Sequence, residues 1–166
     1  MFEAEGEPSR VLFWPSLFFA IGVLLPLLFV VYSLKTKTLS DWDVTNLKER
    51  PRIISVFFIC WLSVALVTYF QNAPNSFFLF GLTITILLGF YLIISLFWKI
   101  SIHVGIATWA VTFLIFISGF HLWPLYFLIP VIAWARYKMN KHTISQLIGG
   151  IVMSFLVTSV VLRFVA

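Results

Sequence analysis

Apolar residues in this chain come in long runs, and most of the polar residues fall in the gaps between them. A helix crossing the hydrocarbon layer needs about 20 mostly apolar residues. Residues 11–34 meet that length, with Pro15 near the start and Pro26 placed to kink the helix. The longest polar stretch, 35–52, precedes a second run at 53–70, and an Asn- and Pro-containing turn at 71–76 leads into a third at 77–98. A fourth run covers 104–120. A shorter one at 122–135 reads as a kinked fifth crossing, and 144–161, closed by Arg163, is the sixth. The pattern predicts an all-α, polytopic membrane protein: a single transmembrane domain over 1–166, built as a bundle of about six helices. It contains no repeat and no segment that reads as a soluble domain.

Composition strengthens this reading. The 166 residues are 61% hydrophobic and 10% charged, with a mean hydropathy of +1.05. A soluble domain usually carries about 25% charged residues. The excess apolar surface exceeds what one small core hides, so lipid has to cover the rest. The single cysteine, Cys60, excludes an intrachain disulfide and a cysteine-rich metal site. The first ten residues hold Glu3, Glu5 and Glu7 against Arg10, the reverse of a basic leader, so no cleavable signal is expected.

Charge then sets an orientation. In a six-crossing chain, alternate gaps share a side. The side reached after the first run receives nine basic residues: Lys35, Lys37, Lys48, Arg50, Arg52, Lys99, Arg136, Lys138 and Lys141. The other side receives two, Arg10 and Arg163. Setting aside Arg50, Lys99 and Arg136 as site candidates still leaves six against two. The richer side is expected in the cytoplasm, with both termini outside, in the plasma (inner) membrane of a prokaryote. The net charge of +5 is therefore read as topology and anionic-lipid contact, not as nucleic-acid binding. Lys35, Lys37, Lys138 and Lys141 read as solvated residues snorkelling at helix ends.

Three polar clusters interrupt the chain, all on that same side. They are Asp41-Trp-Asp43 through Arg50-Pro51, then Lys99-Ile-Ser101-Ile-His103, then Arg136 through His142 to Gln146. His103 and His142 each open an expected helix, where free N–H groups attract anions. Arg50 and Arg136 offer planar, bidentate donors for phosphate oxygens. Imidazole is the usual nucleophile or proton carrier near neutral pH. Together these groups suit phosphoryl transfer to histidine. The pair Asp41 and Asp43, with Asn46, offers oxygen ligands to a divalent ion, but that spacing more often marks a capped polar loop, and no metal is assigned. His121 lies with Trp123 and Pro124 on the other side and reads as part of an interfacial aromatic belt.

The three clusters resemble the signature of the type-two phosphatidic-acid phosphatase superfamily, the membrane histidine phosphatases related to vanadium haloperoxidases. That signature is Lys-x6-Arg-Pro, then Pro-Ser-Gly-His, then Ser-Arg-x5-His-x3-Asp. Arg50-Pro51 matches the end of the first element, Ser101 and His103 two positions of the second, and Arg136-x5-His142 the third, over residues of about 40–150. The resemblance implies that His142 attacks phosphorus and His103 protonates the leaving oxygen. Arg50, Arg136 and the backbone around Ser101 would hold the phosphoryl group, without metal or organic cofactor. It also implies a membrane lipid phosphate or polyprenyl diphosphate as substrate, reached from the bilayer.

Four departures stand beside the matches. Asp43 occupies the first element's Lys position, and Gln146 the terminal Asp position, where an amide oxygen can still orient an imidazole. Ile100 and Ile102 replace the Pro and Gly of the second element. Lys99 is the sequence's candidate for the missing ammonium. Two other function classes fit the same residues: a catalytically inactive phospholipid-binding relative, and a small structural subunit of a larger membrane complex.

Overall fold

Helices begin and end where the sequence supplies breakers and caps. The computed structural model describes residues 8–165, so Glu3, Glu5 and Glu7, which carry the expectation about a leader, lie outside it. The first apolar run forms α1 (Pro8–Leu17), a π-helical stretch (Phe18–Leu24) and α2 (Leu25–Lys35). Pro26 has no N–H to donate and its ring crowds the carbonyl four residues back, so the widened turn ahead of it accommodates the expected kink. The remaining helices are α3 (Arg50–Phe70), α4 (Asn75–Ile94), α5 (Ile102–Ser118), α6 (Leu128–Lys138) and α7 (Ile144–Val165). Among the described residues there is no strand, and the protein is all-α.

Several boundaries differ from the sequence expectation. The helix expected at 53 starts at Arg50, because Pro51 is pre-shaped for a first helical turn. The third run stops being helical at Ile94, and 95–101 turns back into the polar cluster. The fifth run is the largest difference: Phe120–Phe127 winds as a 3-10 helix containing Pro124, and α-helix begins only at Leu128. α7 continues past Arg163 to Val165.

Four helical stretches are long and apolar enough to cross a membrane: Leu12–Lys35, Arg50–Phe70, Asn75–Ile94 and Ile144–Val165. α5 is apolar but shorter, at 17 residues. In lipid, helices gain little from hiding apolar surface from one another, so close packing and internal hydrogen bonds hold them together. α3 packs along α4, and α5 along α7. A ladder of rings, Phe18 to Trp61 to Phe80 to Trp109, crosses the bundle at centroid spacings of 5.7, 5.6 and 4.8 Å. The buried hydroxyls of Thr68, Thr85, Thr108, Thr112 and Thr158 each donate to a carbonyl one turn back. Tyr91 and Ser154 bond at 2.8 Å between α4 and α7, and Trp109 donates to Thr83 at 3.0 Å.

One close approach positions the polar end. A Cβ on Gly150 of α7 would sit 2.5 Å from the Ser101 carbonyl oxygen, so only glycine lets α7 lie against the start of α5. Gly150→Ala should therefore destabilise the protein by about 1–3 kcal/mol, as overpacking against backbone does. At Gly89 the added methyl meets only a Phe58 ring carbon, at 3.4 Å, so Gly89→Ala should leave stability unchanged or raise it. Thermal unfolding in detergent, following helical signal, checks the pair.

Candidate functional site

The three polar clusters meet at one end of the bundle, and ordinary helix-end chemistry brings them there. α6 stops with Asn140 in the left-handed region (φ 53). The Lys141 N–H reaches the Arg136 carbonyl at 3.2 Å and the Asn140 N–H the Tyr137 carbonyl at 2.9 Å, a Schellman end. This turn folds Lys141 back beside Arg136. α7 then opens with a reciprocal cap: the Thr143 N–H donates to Gln146 Oε1 at 3.1 Å, and the Gln146 N–H donates to Thr143 Oγ1 at 3.4 Å.

That cap fixes His142. Gln146 Oε1 also lies 3.2 Å from His142 Nδ1. Because the same oxygen accepts the Thr143 N–H, the amide presents oxygen, not nitrogen, to the ring. A neutral imidazole then carries its proton on Nδ1 and keeps a lone pair on Nε2. His142 is buried, at 6% exposure. Burial, then the positive charges of Arg50, Lys99 and Arg136, push its pKa down to about 4, with the Gln146 hydrogen bond opposing them. The ring is neutral at neutral pH.

Arg50 is buried to 2% exposure. Its Nε donates to the Val44 carbonyl at 3.0 Å and its Nη1 to the Ile100 carbonyl at 2.7 Å. Two of its donors thus tie the first cluster to the second through main chain. The Ser101 N–H, part of the backbone expected to help hold phosphate, donates to the Gln146 carbonyl at 3.1 Å. Main-chain pairing between α5's start and α7 takes that donor. The Ser101 hydroxyl is fully buried without a partner, and so is Arg136 Nε. Lys99 lies on the same end, where burial and the charges of Arg50 and Lys141 hold its ammonium below the ordinary lysine value.

Asp43 stands among these cations. Its Oδ1 accepts from Arg136 Nη2 at 2.9 Å, Oδ2 lies 3.1 Å from Lys141 Nζ, and His103 Nε2 is 4.0 Å from Oδ1. Burial raises the Asp43 pKa, but hydrogen bonds and charge from Lys141 and Arg136 outweigh it and hold the carboxyl below the usual carboxylate value. Asp41 does not join the cluster as an open ligand. Its oxygens accept from the Asp43 N–H at 2.8 Å and from Thr45 N–H and Oγ1, so it caps its own loop. Among the described residues, no three His, Cys, Asp or Glu side chains are grouped to hold a metal ion.

Two cavities flank the cluster. A polar one of about 690 Å³ is bordered by Lys99, Lys141, His142 and Gln146. An apolar one of about 720 Å³ runs along the first helix, walled by Phe18, Val30, Ile54, Phe57, Trp61 and Ile84, and its polar end is Asp43, Arg50 and His103. His121, by contrast, follows the far end of α5, about 25 Å away at 1.5 Å per residue.

Comparison with family models, with curated proteins and with solved structures finds no match to this chain. The geometry gathers His142, His103, Arg136, Arg50, Lys99, Ser101, Gln146 and Asp43 at one end. It also adds Lys141, which the sequence reading left as a snorkelling side chain. The signal for it was Asn140, a helix-ending residue that turns the chain back on Arg136. The role of Gln146 is testable in isolation. Gln146→Ala should lower stability by about 1 kcal/mol through the lost cap. Gln146→Glu keeps the cap and places a carboxylate at Nδ1, favouring the charged ring. The His142 midpoint should move upward from near 4 by about one pH unit or more, followed by nitrogen NMR of labelled histidine.

Proposed function

We propose that this membrane protein is a lipid phosphate or diphosphate phosphatase or phosphotransferase acting through a phosphohistidine at His142. The observation that carries the reading is the state of His142: a buried, neutral imidazole whose Nδ1 faces Gln146 Oε1 at 3.2 Å, leaving Nε2 as the lone-pair nitrogen. In the reaction, that lone pair attacks phosphorus, and the bond from phosphorus to the leaving oxygen breaks. His103, which has to start protonated although burial and the charge of Arg136 lower its pKa, gives the leaving oxygen its proton. Water, or an acceptor hydroxyl, then takes the phosphoryl group from nitrogen, and His103 receives the proton back. Arg136, with a buried Nε that has no partner, supplies donors to the phosphoryl oxygens, and the cations around it stabilise the charge that develops there.

The apolar cavity supports a lipid substrate. It ends at Asp43, Arg50 and His103, while His142 borders the polar cavity on the other flank, so an acyl or prenyl chain lying in the apolar cavity would have to place its phosphate between the two. A second reading, a phospholipid-binding relative without turnover, is favoured by Asp43, which already holds Arg136 and Lys141.

Phosphate release from phosphatidate, phosphatidylglycerophosphate and polyprenyl diphosphate, with and without chelator, separates the two. Activity that survives chelation and is abolished by His142→Ala is the expected result. His103→Ala should retain more activity on a substrate with an acidic leaving group, because protonation then contributes less. A rate unaffected by His142→Ala would sink the phosphohistidine. A wild type inert to all three lipids, yet binding them, would establish the second reading.

Orientation is part of the same proposal: the basic-rich end faces the cytoplasm. With Cys60 replaced, a cysteine introduced at Lys37 should resist an impermeant thiol reagent in intact cells, while one at Glu5 reacts. The opposite labelling pattern would turn the protein over in the membrane.

A further inference from the structure

The loop between α2 and α3 carries a carboxylate into the centre of the cationic cluster. Asp43 Oδ1 accepts from Arg136 Nη2 at 2.9 Å, while Oδ2 sits 3.1 Å from Lys141 Nζ. Carboxylate and phosphoryl oxygens take the same charge-assisted donors, so the two anions compete for one seat. Arg136 is 9% exposed, and its Nε has no partner, although its Nη2 is occupied. One carboxylate therefore leaves the guanidinium with unused donor capacity, which a tetrahedral anion with more oxygens would take up.

The loop that delivers Asp43 is held in place by specific bonds. Leu39 is buried beside Val30 and Ile53, Glu49 accepts from Ser40, and Asp41 accepts from the Asp43 and Thr45 N–H groups. Between them, Val44 adopts φ 49, a left-handed conformation that is unfavourable for a β-branched residue. Arg50 Nε accounts for the Val44 carbonyl. The segment is a strained strap whose end product is the placement of one carboxylate.

We infer that Asp43 is an internal competitor for phosphate, seated where phosphoryl oxygens bind, and that Arg136 and Lys141 are the donors a phosphoryl group takes over when the strap withdraws. This rests on the phosphate-site reading above. It adds to that reading a residue that sets anion affinity and a phosphate-binding lysine.

Orthovanadate, a phosphate-shaped anion, is the probe. Its affinity is measured by isothermal titration calorimetry on the full chain in detergent, for wild type, Asp43→Asn, and Asp43→Asn with Lys141→Met. An internal competitor lowers apparent affinity by the fraction of time the seat is free, so Asp43→Asn should bind at least about tenfold tighter than wild type. Lys141→Met should give back several-fold of that gain. Affinity equal to wild type, or weaker, in Asp43→Asn would overturn the internal competitor while leaving a phosphate site in place. No binding of vanadate to either protein would overturn both readings together. Should Asp43→Asn fail to fold, hydrogen exchange in the wild type gives the answer. Vanadate should speed exchange at the Asp43 and Thr45 N–H groups that Asp41 holds, and unchanged or slower exchange there would overturn the proposal.

Discussion

A guanidinium buried to 2% exposure at a helix start has to find its hydrogen-bond acceptors inside the protein, and Arg50 finds them in main chain. Its bonds to the Val44 and Ile100 carbonyls join the loop before α3 to the segment before α5. The Ser101 N–H continues the connection to the Gln146 carbonyl at the start of α7. Three polar segments that lie far apart in sequence are thus fastened by one charged side chain and one main-chain bond. Remove the guanidinium, and two carbonyls lose donors while the loop carrying Asp43 loses its anchor. Arg50 therefore supports the site's shape before it does anything to a ligand.

The bundle below that end solves a different problem. Lipid offers no hydrogen bonds and little drive for helices to associate, so most buried hydroxyls are paired, Ser33, Ser95 and Ser101 excepted, and helices approach closely at glycine. Gly105 lies against Tyr91 and Ser154, and Gly150 against Ser101. These contacts run up the α4, α5 and α7 faces and end at the polar cluster. The first apolar run also approaches closely at one glycine, Gly22 against Trp61, but a long apolar cavity lies beside it. Close packing on one side of His103 and an apolar cavity on the other give the cluster two unlike walls.

Much of this was legible beforehand, because counting apolar runs also assigns the gaps to alternate ends. The run lengths gave the helices, and the three polar gaps had to share an end in an up-and-down chain. The sequence also holds local punctuation that run lengths do not use: Pro51, which lets α3 start at Arg50 instead of 53, Asn140 closing α6, and Thr143 with Gln146 as a cap. Two things were hidden. The winding of Phe120–Phe127 depends on how neighbouring helices crowd a proline-containing run, which no periodicity records. The other was which polar side chains serve main-chain carbonyls. Arg50 reads from sequence as a free phosphate ligand, yet two of its donors are committed. Lys141 reads as a solvated lysine, yet it sits on a carboxylate contributed from nearly a hundred residues away.

Asp43 sets the charge balance of the resting cluster. Arg50, Arg136, Lys99 and Lys141 already crowd one partly buried end, and their mutual repulsion makes an unoccupied cluster costly. A resident carboxylate relieves that cost in the resting protein and transfers it to ligand binding. Burial, with the same positive field adding to it, keeps His142 uncharged, which leaves its Nε2 lone pair available but makes positive charge on the ring unfavourable. A phosphate dianion arriving in the cluster reverses the second effect, since its charge offsets the cations around the ring. In the proposed reaction, attack on phosphorus would place positive charge on the imidazole while the compensating anion is present. On that proposal a filled site favours the charged, phosphorylated ring against the burial that keeps the free ring neutral. Gln146, a neutral acceptor, leaves that coupling to the substrate, whereas a carboxylate at Nδ1 would stabilise ring charge whether or not phosphate is bound.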